Sequence, residues 1–402
     1  MKKVEQINVF GTKRIEFNEQ IQLTVDSLNT YGVLYDHWVV AWSMGKDSTT
    51  LLTLIVSLIK SGQIKGPKSL TVICADTRME LLPLWIAAQA IISKLRAMGI
   101  IVKVVMAKLD SRFLVYMLGR GVAPPSSTFR WCTQHIKVEP MKEALQELYA
   151  VSGKKSLLLT GVRQGESAIR DGRIAMSCGK DGAECGQGWY QEGMNRDICA
   201  TLAAILHWRV CSIWDWLRVF APMPKYGGWE TRLLADSYGG DEAEEKNART
   251  GCVACPLVKK DKALGLVVKM PEWAYLKPLI RLKRIYAEMK RPLYRLRKDG
   301  QVNKDGKLSK NQQRLGPLTL EARLDFLEQI LAIQREVNEQ ARILDRPLLD
   351  ILNQEEEQRI RQLIALKTWP DGWTGDEITG DVLIDKKYSD GTILKNLFKN
   401  SD

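Results

Sequence analysis

The chain has 402 residues, enough for one large domain or two ordinary ones, and its 45% hydrophobic and 26% charged residues are ordinary for a globular protein. Its longest apolar run, Leu51–Ile59, falls well short of the ~20 residues a membrane span needs; the opening MKKVEQINVFGTKRIEF has no apolar h-region. These features argue against membrane contact and secretion and lead us to expect a cytoplasmic protein, while the net charge of +12 points to a polyanionic partner. In chain order, Ile15–Leu28 reads as a helix. Trp38–Trp42 (WVVAW) is short, aromatic and β-branched, and reads as a buried strand. A helix over Ser48–Lys60 follows, then a strand Leu70–Ala75, a helix Leu82–Met98 and a strand Ile100–Met106. Met141–Tyr149 reads as a helix and Lys155–Thr160 as a fourth strand. Ser167–Asn195 and Pro222–Thr250 read as loops, with a helix Ser212–Phe220 between them. Two long helices, Glu272–Met289 and Leu318–Asn338, come next, and the last thirty residues read as loop with some strand.

Strands alternating with helices imply βαβ units, hence an α/β fold with a doubly wound parallel sheet and a mainly helical C-terminal region. The expected divisions are a helical lead-in at 1–35, a nucleotide-type domain at 36–255 and a helical, basic region at 256–402.

Ser43-Met44-Gly45-Lys46-Asp47-Ser48 closes the first strand and opens the first helix. Glycine lets a backbone approach an anion, and a helix start offers free N–H groups and a positive dipole end. Ser43 and Ser48 add hydroxyls and Lys46 a charge. Asp47 suits either a helix cap or a Mg²⁺ ligand. A βα turn that binds nothing is the plainer alternative. The Walker A pattern is absent. The loop resembles S-G-G-x-D-[ST], the pyrophosphate loop of the ATP pyrophosphatase superfamily, and departs from it at Met44. If that position needs a positive φ, methionine is costly there. Asp76 ends the second strand, where ligands of such sheets gather. Gly161-Val162-Arg163-Gln164-Gly165-Glu166-Ser167 with Arg170 resembles a segment of phosphoadenosine phosphosulfate reductase-like proteins; Arg163 and Arg170 suit phosphate oxygens. A surface Arg–Glu network is the alternative.

The chain has eight cysteines and three histidines, and without a secretory signal the thiols are expected to be reduced. Gly251-Cys252-Val253-Ala254-Cys255-Pro256 is a C-x-x-C, and Cys132 lies in Arg130-Trp131-Cys132-Thr133. Thiolates at such spacing can share a zinc ion or an iron–sulfur cluster, either of which usually wants four ligands. Cys185 is the favoured fourth, ahead of Cys178 and Cys199, because it sits in a glycine-rich loop; Cys74 and Cys211 read as apolar filler.

The ordered motifs, with Gly316–Arg323 (GPLTLEAR) after them, resemble the DndC- and SspD-type sulfur-transfer proteins of bacterial DNA phosphorothioation over about residues 36–340. That resemblance implies an adenine nucleotide α-hydrolase-like fold and an ATP pyrophosphatase and sulfurtransferase. It places ATP and Mg²⁺ at Ser43, Gly45, Lys46, Asp47 and Ser48, with Lys46 and Asp47 catalytic and Asp76 and Arg163 close to the nucleotide. It also implies a [4Fe–4S] cluster held in part by Cys132, Cys252 and Cys255, for which Cys185 is our choice of fourth ligand, with zinc as the alternative. Its implied partners are DNA, a cysteine desulfurase and other phosphorothioation subunits. In that family the fourth cysteine usually precedes the G-C-x-x-C, where this chain has GGDEAEEKNART. Alternatives are phosphoadenosine phosphosulfate reduction, faintly echoed by Glu184-Cys185-Gly186, tRNA thiolation, and a nucleic-acid-binding subunit with a weak loop. Residues 281–314 carry twelve Lys and Arg against three acids, a segment suited either to tracking a phosphate backbone or to a solvated helix face.

Overall fold

Short β-branched runs punctuated by small-residue turns build the central sheet. The computed structural model describes residues 16–164, 189–195, 198–239, 251–298, 313–388 and 390–396, with 300, 307, 309 and 311. The strands of the main sheet are β1 (His37–Ala41), β2 (Ser69–Asp76), β3 (Ile101–Met106), β4 (Ser156–Thr160), β5 (Trp189–Asn195) and β6 (Cys199–Ala203), in the order β3-β2-β1-β4-β6-β5. β1 pairs in parallel with β2 (Val39 opposite Thr71) and with β4 (Val39 opposite Leu158). β6 runs parallel to β4, while β5 is antiparallel to β6, with a register shift between Gln191 and Asn195. The α/β class and the parallel core are as expected. β5 corrects the reading of 167–195 as loop throughout, and β6 is a strand that the sequence pattern did not mark. β6 (CATLA) is rich in alanine and poor in β-branched residues, so its strand character comes from the ladder it joins and not from propensity.

The sheet reverses direction of growth between β1 and β4. In open α/β sheets that switch point forms the crevice where ligands bind, at the carboxyl ends of the strands. The loop 42–45 and residues 161–163 leave the sheet at this point.

The helices of this part are α1 (Phe17–Tyr31), α2 (Lys46–Lys60), α3 (Leu82–Ala97), α4 (Glu139–Ser152) and α5 (Val210–Asp215), the last running on into a π-helical turn at Trp216–Phe220. α2 is buried along Ser48–Leu58, so the helix carrying the loop is an internal element. Two indoles fix it: Trp42 donates to Thr49 Oγ1 at 2.9 Å and Trp216 to Thr53 Oγ1 at 2.8 Å. The tryptophans at 214 and 216 therefore serve packing, and Trp216 also anchors α2.

The chain divides into two compact units. The first comprises Met1–Ala75, Pro83–Val105 and Met141–Asn247; the second comprises Asp76–Leu82, Met106–Pro140 and Ala248–Asp402. In the second unit, the single helix expected at Glu272–Met289 is instead a 3-10 run, Pro271–Leu279, followed by α7 (Ile280–Glu288) after the short α6 (Lys262–Val267). Pro278 has no N–H to donate, which favours tight turns up to that point. α8 (Leu320–Ile343) starts where the sequence indicates, with the Thr319 hydroxyl accepting from Ala322 N–H. α9 (Gln354–Ala365) opens with a capping box of Asn353 and Glu356. A small antiparallel sheet joins β7 (Arg295–Arg297), β8 (Leu315–Leu318) and β9 (Ile378–Thr379). β10 (Lys386–Lys387) pairs with β11 (Ile393–Leu394).

Two buried charged groups organise this unit. Arg323 is fully buried; it donates to the carbonyls of Leu318, Gly119 and Thr368 and lies 4.0 Å from the centre of the Trp369 ring. Burial lowers its guanidinium to about 10. Glu356 is buried against Arg78 and Arg112, at 3.5 and 3.3 Å. Among the described residues no helix is long and apolar enough to cross a membrane.

Candidate functional site

The first unit brings together most of the expected loop residues. β1 ends at Ala41, and the chain turns at Met44 with φ 63. The position therefore has the left-handed conformation that glycine accepts most readily. Here it is held by a methionine whose side chain is buried. Gly45 caps α2 in extended conformation. Ser43 N–H donates to Ser48 Oγ at 3.1 Å, the two serine hydroxyls lie 3.0 Å apart, and Ser48 Oγ donates to Gly45 O at 3.2 Å. Gly161, at the end of β4, packs so closely on the start of α2 that a Cβ there would lie 2.7 Å from Ser48 N and Cα. Only glycine allows that approach.

The charges at this point form one chain. Asp47 pairs through Oδ2 with Lys46 Nζ at 3.1 Å and through Oδ1 with Arg163 Nε at 2.5 Å. Arg163 is buried and also donates to Trp208 O at 3.1 Å. Sequence spacing left Asp47 a choice between capping α2 and holding a metal. The structure removes the cap: no side chain caps this helix, and Asp47 instead bridges the two cations. A cation and a guanidinium held beside a helix start can take phosphate oxygens.

Tyr238, which no sequence motif singles out, completes the site. Its hydroxyl accepts the Lys46 backbone N–H at 2.9 Å, and Lys46 Nζ sits 5.3 Å from the centre of its ring. Tyr238 ends a 3-10 turn, Arg232–Tyr238, and meets Trp214 edge to face at 5.1 Å. It falls within a stretch read as loop, and nothing in its local pattern marks it. Asp76 is the last residue of β2 and groups with the second unit, where its carboxylate accepts from Arg78 N–H at 2.8 Å. Gly165, Glu166, Ser167 and Arg170 lie outside the described residues.

The second unit brings three of the expected thiols near one another. Cys132 lies in a helical turn, Trp131–Thr133. Cys252 and Cys255 sit on a loop shaped by Ala254 at φ 51, by Val253 N–H donating to Met79 O at 2.6 Å, and by Ala254 N–H donating to Asp261 at 2.8 Å. Burial pushes the Cys252 thiol up to about 11, with Lys137 opposing, and Cys255 and Cys132 each add to the rise. Burial, then Cys255, raises Cys132 in the same direction. The Glu80 carboxyl is also raised by burial, although Thr77 donates to it at 2.5 Å. These thiols fit a thiolate-bound zinc or iron–sulfur centre in kind. They fall short in number, since among the described residues no group of three or more His, Cys, Asp or Glu is arranged to hold a metal ion. Cys185 and Cys178 lie outside the described residues. Cys199 lies in β6 in the first unit, packed among Val39, Ile73, Ala144 and Leu145, in the manner of apolar filler. Cys74 is buried in β2, and Cys211 lies in α5.

Much of the basic segment is engaged internally. Lys283 donates to the carbonyls of Cys255 and Val258, and Lys290 to that of Pro256 at 3.4 Å, so both brace the C-x-x-C loop. Arg295 donates to the carbonyls of Gly316 and Leu315, Arg297 to those of Gly380 and Val382, and Lys298 to that of Gly372. Arg281 and Arg291 pair with Glu336 and Glu288.

With this geometry in view, residues 37–219 match the family described as the phosphoadenosine phosphosulfate reductase domain. No curated protein matches the chain. Among solved structures, it is similar to phosphoadenylyl-sulfate (PAPS) reductase from Candida auris in a phosphate complex. Identity is 13%, the TM-score 0.32, and the match covers 52% of this chain and 88% of that one. It is also similar to FMN adenylyltransferase from Candida glabrata in complex with FMN and the ATP analogue AMPCPP, with identity 14%, TM-score 0.34 and coverage of 59% of this chain and 64% of that one. Residues 37–219, which hold the loop at Ser43–Ser48 and Arg163, thus form a domain similar to that of phosphoadenosine phosphosulfate reductases.

Proposed function

We propose that the chain is an ATP-dependent enzyme that inserts sulfur into the DNA backbone. The observation that carries this reading is the loop at the β1/β4 switch point, where Lys46, Asp47 and Arg163 form one charged chain at the start of α2. The match to a nucleotide-type sulfur-enzyme family supports it.

In this reading ATP binds with its β- and γ-phosphates on the loop. A non-bridging oxygen of a DNA phosphate attacks the α-phosphorus; that O–P bond forms as the bond to the β-phosphate oxygen breaks, and pyrophosphate leaves with the electron pair. Lys46 and Arg163 stabilise the charge that develops on the phosphate oxygens. Asp47 sets the positions of both cations and is the carboxylate through which Mg²⁺, bound mainly by the phosphates, would meet the protein. Hydrosulfide, released by a thiol reductant from the persulfide of a cysteine desulfurase, then attacks the DNA phosphorus. The P–S bond forms and AMP departs with the electron pair. Adenylation is needed because an unactivated phosphate oxygen leaves very poorly. The thiols Cys132, Cys252 and Cys255, with Cys185 as the proposed fourth ligand, are the proposed place of an iron–sulfur cluster or zinc; no step above runs through it.

The test is pyrophosphate release from ATP by the full chain with DNA and hydrosulfide, together with phosphorothioate content of the DNA. Lys46→Ala is expected to lower both by about 100-fold or more, the scale of losing one preorganised charge at the reacting phosphate. A second reading, reduction of phosphoadenosine phosphosulfate, is favoured by the family match. Sulfite formation from that compound, without DNA-dependent pyrophosphate release, would select it. If neither activity is found, both readings fall.

A further inference from the structure

The N–H groups at the start of a buried helix are what such a loop offers an anion. At α2 the Lys46 N–H is already taken by the Tyr238 hydroxyl at 2.9 Å. Three further donors at or beside the loop also have partners within the unit: Ser43 N–H with Ser48 Oγ, Lys46 Nζ with Asp47, and Arg163 Nε with Asp47. The Tyr238 ring is buried between Lys46 Nζ, 5.3 Å from its centre, and Trp214. Its backbone ends a seven-residue 3-10 turn and is followed by Gly239 at φ 114. A 3-10 turn has poorer hydrogen-bond geometry than an α-helix, and a glycine beyond it is a natural pivot.

We propose that Tyr238 is an internal plug of the anion loop. Its hydroxyl holds the position of a phosphate oxygen on the Lys46 amide, and it swings out when the β- or γ-phosphate of a nucleoside triphosphate binds. The plug raises the threshold for any anion at the loop. A ligand must repay the lost internal hydrogen bond, which a triphosphate can do through several oxygens and inorganic phosphate through few. The inference rests on the loop being a nucleotide site and adds to that reading a residue that sets how tightly the nucleotide binds.

The experiment compares ATP and inorganic phosphate binding by calorimetry in the full chain and in Tyr238→Phe, which keeps the ring and removes only the hydroxyl. Tyr238→Phe is expected to bind ATP about three- to tenfold more tightly, the range for one lost competing hydrogen bond, and to bind inorganic phosphate more tightly as well. A second measurement needs no variant: ATP added to the unaltered chain should speed amide exchange in residues 232–239 as the turn releases. If the unaltered chain binds ATP and Tyr238→Phe binds it equally or more weakly, the hydroxyl is a ligand of the nucleotide or a bystander, and the plug is overturned while the nucleotide reading stands. Unchanged exchange on ATP addition overturns it too. If neither protein binds ATP, the nucleotide reading fails and the plug fails with it.

Discussion

At the scale of single residues, Met44 sets two effects against each other. A left-handed conformation costs a non-glycine residue ~1–2 kcal/mol, whereas burying a methionine side chain returns ~1.5–3 kcal/mol. Replacing it by glycine also adds ~0.5–1 kcal/mol of backbone entropy to the cost of folding. Met44→Gly is therefore expected to lower stability by about 1 kcal/mol, although it restores the glycine of the superfamily loop. Urea unfolding measures this; a variant more stable than the parent would show that strain outweighs burial. The sequence already raised the question at Met44, because a departure from a glycine pattern is visible in one dimension. Lys46, Asp47, Ser48 and Arg163 were legible for a similar reason: each belongs to a short motif at a strand end. Tyr238 was not. Its partner Lys46 lies 192 positions away, and only the folded chain places the phenol on the amide.

At the scale of elements, the strands were legible where propensity and burial agree, as in WVVA of β1 and SLLLT of β4. They were illegible where pairing overrides propensity, as in CATLA of β6. The elements are also tied at their entrances. Asp36, just before β1, pairs with Lys68 before β2 at 3.1 Å and with Lys154 before β4 at 2.7 Å. Hydrogen bonds from Lys154 and then Lys68 hold the Asp36 carboxyl down to about 2. A carboxyl whose folded value is lowered stabilises the fold above its unfolded value and loses that contribution as pH falls through the folded one. Asp36→Asn is accordingly expected to melt at a lower temperature than the parent at pH 7. That gap should close as pH falls from about 4 to about 2. The group is accessible to solvent, so the effect should be small and should shrink in salt. A gap that stays constant across this pH range would remove the ion pairs as its cause.

At the scale of the whole molecule, the second unit is discontinuous in sequence, and composition gives no sign of that. Its short segments are held by the long one. Arg78 pairs with Asp350 at 2.7 Å, Arg112 with Glu355 at 2.9 Å, and Phe113 stacks on Trp131 while meeting Tyr286 edge to face. A chain truncated at Asn247 would leave Phe113 without Tyr286 and the Met79 carbonyl without the Val253 N–H, both residues being buried in the intact protein. It is expected to bind a hydrophobic dye and to aggregate. A monomeric truncation that unfolds cooperatively and leaves the dye dark would count against this account. The basic segment shows the same limit of one-dimensional reading. Its excess charge was countable, but among the described residues six of its basic side chains donate to carbonyls of their own unit, which no charge count reveals.

The interleaving of the two units also imposes an order in time. Arg78 meets Asp350 and Glu356 only after roughly 270 further residues have been added. At about 5–20 residues per second, that is a wait on the order of tens of seconds on the ribosome. During this interval the segments 76–82 and 106–140 have no lasting place to fold. The emerging chain thus carries unpartnered apolar and charged side chains through most of its synthesis, and the unit bearing the three thiols is the last to close.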